Sequence, residues 1–127
     1  MKNIFLFLFL LPAALVGAAS PSPPKNPTHD QLTGFNDEQR KAALAKLLQS
    51  SSESCGSATR TFFQMQDDQG RAYWHVACSN GKSYVVRINP DKGGTANVSD
   101  CAMMQRLTGG QCFQGAKDTP NGRPRGE

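Results

Sequence analysis

The chain has 127 residues, of which 38% are hydrophobic, 8% aromatic and 19% charged, with 12 glycines and 8 prolines. That composition excludes a coiled coil, a collagen-like repeat and a multi-span membrane protein, and the length suffices for one small domain. Lys plus Arg number 14 against 10 Asp plus Glu, a formal net charge of +4. The excess is too small and too scattered to argue for nucleic acid.

Residues 1–19 read as a secretory signal peptide. Lys2 supplies the positive start, Ile4 to Leu11 and Ala13 to Val16 an apolar stretch broken only by Pro12. Val16-Gly17-Ala18-Ala19-Ser20 then offers the small residues of a cleavage site after Ala18 or Ala19. The apolar run falls short of the roughly 20 residues of a spanning helix. No stable membrane insertion is therefore expected after cleavage, and the reading places the protein in the periplasm or outside the cell. Four cysteines remain, Cys55, Cys78, Cys101 and Cys112, and an even number in a small exported domain implies disulfides. They contain no C-x-x-C, and neither His29 nor His75 stands at a zinc-ligand spacing. No metal or other cofactor is expected.

Residues 20–34 carry Pro21, Pro23, Pro24 and Pro27 and read as an extended arm, with His29 a solvated residue upon it. The folded domain is expected over 35–114. Asn36 is an N-cap, followed by Asp37 and Glu38 where carboxylates suit the helix dipole. Leu44, Leu47 and Leu48 recur at helical spacing, so an amphipathic helix is expected from Asp37 to Gln49.

Three strands follow, Thr59 to Gln66, Ala72 to Cys78 and Ser83 to Ile88, rich in aromatic and β-branched residues. Between the last two lies Ser79-Asn80-Gly81. A two-residue Asn-Gly turn would scatter the apolar residues, whereas a three-residue loop with left-handed Gly81 gathers them. Trp74 then meets Val86, Val76 meets Tyr84, and one face becomes Trp74, Val76, Cys78, Tyr84, Val86 and Ile88. The loop at Asp67-Asp68-Gln69-Gly70 pairs Phe63 with Trp74 and Met65 with Ala72, which gives Met65 the parity of a core residue. The same register sets Thr59 against Cys78, close to Cys55, and so favours a Cys55–Cys78 bridge. Cys101–Cys112 is the remaining pair, enclosing an apolar turn at Met103, Met104 and Leu107. A fourth strand is expected from Thr95 to Cys101, with Val98 inward. The tail at 115–127 is polar and expected to be disordered. The fold class is thus α+β: one helix on a three- or four-stranded antiparallel sheet, stapled by two disulfides.

The other sheet face should be polar, yet the register gathers Phe62, Tyr73, His75, Val85 and Arg87 there. Either the proline-rich arm or the Cys101–Cys112 segment folds over this row, or the row binds a partner. Exposed aromatics beside arginine are common anchors for a partner. His75 as a general base would need help from Asp67, Asp68 or Tyr73, but both aspartates sit where turn chemistry alone puts them. Met65, Met103 and Met104 with His75 raise copper handling, for which core packing is the simpler account. The segment Tyr73 to Val86, followed by Val98 and Cys101, resembles small exported proteins of Gram-negative bacteria with paired cysteines. That likeness implies an envelope protein and transfers no catalytic residue. The function expected is non-enzymatic binding of a protein or envelope component through Phe62, Tyr73, His75, Val85 and Arg87. The alternatives are an accessory subunit of an envelope complex, or a metal-binding protein or hydrolase using His75.

Overall fold

The computed structural model describes Gly17, Ser22 and residues 24–113. Gly17 aside, the expected leader at 1–19 lies outside the described residues, as does the tail at 115–127. Two helices lead, α1 (Pro27–Gly34) and α2 (Asp37–Ser50), and four strands follow: β1 (Ala58–Gln66), β2 (Ala72–Cys78), β3 (Ser83–Ile88) and β4 (Ala96–Asp100). A last helix, α3 (Cys101–Thr108), closes the described chain. The strands make one antiparallel sheet in the order β1-β2-β3-β4, and the fold is α+β. Both disulfides form in the expected pairing, with Cα separations of 5.3 Å for Cys55–Cys78 and 5.9 Å for Cys101–Cys112. Among the described residues no helix is long and apolar enough to cross a membrane.

Local chemistry explains α2 and the β2–β3 hairpin. Asn36 Oδ1 accepts the Gln39 N–H while Gln39 Oε1 accepts the Asn36 N–H, a capping box that satisfies two helix-end donors. The hairpin turns on Ser79-Asn80-Gly81, with Gly81 at φ 83° and the Cys78 N–H donating to Lys82 O at 2.8 Å. This loop pairs Trp74 with Val86 and Val76 with Tyr84. All six residues of the expected inner row are buried, packed with Leu44 and Leu48 of α2.

The β1–β2 register departs from expectation beyond Phe63. Phe63 faces Trp74, but Gln64 bulges, so Met65 pairs with Tyr73 rather than Ala72. The extra residue reverses the parity of Met65, which is 47% exposed instead of lying in the core. A second bulge at Thr59 sets Ala58, not Thr59, against Cys78. Neither bulge contains glycine, so alternation alone does not announce them.

The larger correction concerns the arm. Residues 27–34 are helical, because proline suits the first turn of a helix, where an N–H would lack a partner anyway. Asn26 caps α1: its Oδ1 accepts the His29 N–H at 3.0 Å. Its Nδ2 donates to Gly70 O at 3.0 Å and Ile88 O at 2.9 Å. His29 is buried rather than solvated, its Nδ1 accepting the Trp74 Nε1–H at 3.1 Å. Arg40 of α2 donates from Nε to Leu32 O and from Nη2 to Phe35 O, binding carbonyls at the end of α1. Its guanidinium lies 5.6 Å from the centre of the Trp74 ring. The expected apolar turn after Cys101 is likewise helical, capped by Asp100 at its start and by left-handed Gly109 at its end.

Truncating Asn26 removes a donor from Ile88 O and the side-chain cap from the start of α1, and leaves Gly70 O with the Gln66 Nε2–H at 3.2 Å. Asn26→Ala is expected to lower unfolding stability by about 2–3 kcal/mol. Urea titration followed by the fluorescence of Trp74, the single tryptophan, measures this. An unchanged midpoint would contradict the docking of α1.

Candidate functional site

Alternation along β1 to β3 places the five expected site residues on the outer sheet face, with Phe62 beside His75, His75 beside Val85, and Tyr73 beside Arg87. The fold divides them into two groups. Phe62, His75 and Val85 are only 2%, 5% and 7% exposed. Their cover is the C-terminal segment, while α1 and its cap Asn26 pack on the opposite face. Immediately after Cys112, the Phe113 N–H donates to His75 Nδ1 at 2.7 Å. The Phe113 ring lies 5.5 Å from the His75 ring and 6.5 Å from the Phe62 ring. Arg60 stacks its guanidinium 4.7 Å from the centre of the same phenyl ring.

Tyr73 and Arg87 stay half-buried, at the border of a cleft of about 310 Å³ between the sheet and Met104 of α3. His75 and Val85 also line it, so the cleft holds four of the five expected residues. Gln64 and Met65 join them because of the bulge, and Asn97 and Ser99 because they alternate outward on β4. The β4 pair is legible from strand parity and the bulge carried no sequence signal, whereas Met104, grouped with Met65 and His75 by residue type alone, is brought to the cleft by α3.

The electrostatics of the cleft centre on Arg87. Its Nη2–H donates to Asn97 Oδ1 at 2.7 Å. Its Nε is buried without a hydrogen-bond partner, and among the described residues no carboxylate pairs with it. The one carboxylate near Tyr73 is committed elsewhere: Asp67 Oδ2 accepts Arg71 Nε–H at 2.6 Å as well as the Tyr73 hydroxyl at 3.2 Å.

Burial pushes the His75 imidazole down from 6.5 to about 4, so it is neutral near pH 7. Because Nδ1 accepts the Phe113 N–H, the ring proton sits on Nε2. That arrangement leaves no free lone pair for a metal or for taking a substrate proton, although Met65 and Met104 border the same cleft. Met103 is exposed and lies outside it. Among the described residues no three His, Cys, Asp or Glu side chains gather into a metal-binding group. A larger depression of about 500 Å³ lies between α2 and the start of β1. Its Lys41 pairs with Asp37 and Glu38, and it holds none of the expected site residues.

Comparison with protein-family models, with curated proteins and with solved structures returns no match to this chain. The two disulfides are consistent with an oxidising compartment.

Both histidines accept hydrogen bonds in their neutral form. Burial lowers His29 as it does His75, with Asp30 opposing the shift. The unfolded chain therefore binds protons more readily than the folded one. Stability is full above about 6.5 and is lost as the pH falls toward 4. In thermal unfolding across that window, His75→Asn is expected to lose less than the parent, since its Oδ1 still accepts the Phe113 N–H without titrating. Identical pH profiles would remove His75 from the account.

Proposed function

We propose that the chain is an exported, non-enzymatic binding domain that engages a protein or other envelope component through its outer sheet face. Tyr73 and Arg87 make the contact, and Phe62, His75 and Val85 form the buried support beneath it. One observation carries this reading: Arg87, a half-buried cation without a counter-charge among the described residues, at the border of a cleft with an apolar floor. A half-buried positive charge at the border of a cleft is costly without an opposite charge, and an anionic or acceptor-rich group entering the cleft relieves that cost. Export is supported by the leader-like residues 1–19 and by two disulfides in a domain this small.

Strand addition at the sheet edges is one way in which an accessory subunit could join a complex. That route is disfavoured by two bulges in β1 and by the shortness of β4, features that blunt an edge against pairing. Among the described residues the hydrolase reading lacks a carboxylate bonded to His75, whose Nδ1 accepts from the Phe113 backbone.

The test uses the purified protein, immobilised against a solubilised envelope extract, beside a Tyr73→Ala, Arg87→Ala double variant. The variant is expected to keep its unfolding midpoint and to retain the bound component at least about tenfold less, as loss of two central anchors implies. Equal retention by both proteins would sink the outer-face reading.

A further inference from the structure

We propose that the outer-face cleft is a receptor for a small carboxylic acid with a short apolar body, such as a medium-chain fatty acid. This rests on the outer-face reading and names its ligand class. The lining side chains have hydrogen-bonding capacity to spare. Arg87 is donor-only, and its Nε–H is buried and unsatisfied. Asn97 spends its Oδ1 on Arg87 and weakly on Asn89, which leaves its amide N–H groups. His75 spends Nδ1 on the Phe113 backbone, which leaves Nε2–H, and Ser99 adds a hydroxyl. Gln64 adds an amide that both donates and accepts, so donors still outnumber acceptors around one positive charge that no carboxylate among the described residues pairs with. The complementary group is a compact anion rich in acceptors, and a carboxylate matches the planar fork of a guanidinium.

The rest of the lining sets the body of the ligand. Val85, Met65, Met104 and the Tyr73 ring provide apolar wall, and methionine side chains adapt to chains of differing shape. A cleft of about 310 Å³ lies at the small end of ligand pockets, which suits a short acyl or phenylalkyl chain. No acidic side chain lines the cleft, so nothing there repels a carboxylate.

Isothermal titration of the purified full chain with octanoate, 3-phenylpropanoate and the neutral octanamide tests the proposal. Both carboxylates are expected to bind, and octanamide at least about tenfold more weakly, as loss of a charge-assisted hydrogen-bond pair implies. Arg87→Gln is expected to abolish the preference for carboxylate over amide, and Arg87→Lys to retain part of it. Amide proton shifts on adding octanoate should centre on Tyr73, Arg87, Asn97 and Ser99, which reports the site even where a variant folds poorly. Absence of carboxylate binding, equal binding of octanamide, or shifts confined to another surface would each overturn the proposal. If an extract component is still retained through Tyr73 and Arg87 while octanoate does not bind, the ligand class fails and the outer-face reading stands. If neither occurs, both fail.

Discussion

The structure depends on the single donor of a buried indole. Trp74 sits in the middle of β2, on the sheet face where the helices pack, and is almost wholly withdrawn from water. Its N–H must find an acceptor there, and the strands supply none, because their own polar groups are spent on one another. His29 Nδ1 meets that need from α1, a helix of eight residues and too short to persist alone. Once His29 is seated, Asn26 reaches the carbonyls of Gly70 and Ile88, on different sides of β2. Arg40 then closes the far end of α1 and lies over the Trp74 ring. Leu32 is the only buried apolar residue of α1, so this helix is located by polar contacts more than by apolar area.

The two sheet faces are covered by different means. On the inner face α1 and α2 lay Leu32, Leu44 and Leu48 over a continuous apolar row. On the outer face α3 buries no residue fully, and a single phenyl ring, Phe113, closes over His75 and Phe62. The disulfides divide along the same line. Cys55–Cys78 is buried and ties the linker before β1 to the end of β2, whereas Cys101–Cys112 encloses α3 and sets Phe113 in place. Incomplete cover is what leaves Arg87 and Tyr73 beside a cleft instead of beneath a second layer.

Much of the sheet was legible because its signals are short in range. Ser79-Asn80-Gly81 and the alternation on either side admit one loop length that gathers the apolar residues, and the β2–β3 pairing follows. The same register brought Cys78 near Cys55 and thereby assigned both bridges. The bulge at Gln64 was not legible, since an inserted residue leaves composition and periodicity almost unchanged while reversing the face of Met65. Nor was α1, because a proline-rich start reads as extended chain until a tertiary contact rewards the helix.

The sequence by itself determined the α2 cap, the order of the first three strands, the inner row and the pairing of the cysteines, all through contacts between chain neighbours or hairpin partners. Tertiary structure alone decided that His29 lies beneath the sheet and that Phe113 covers His75. It also decided that Tyr73 and Arg87 share a cleft with Met104. Those outcomes depend on which remote segment satisfies a buried polar atom, the Trp74 N–H on one face and His75 Nδ1 on the other. Local pattern carries no record of that choice, because the partner of a buried polar atom is selected by the folded geometry around it.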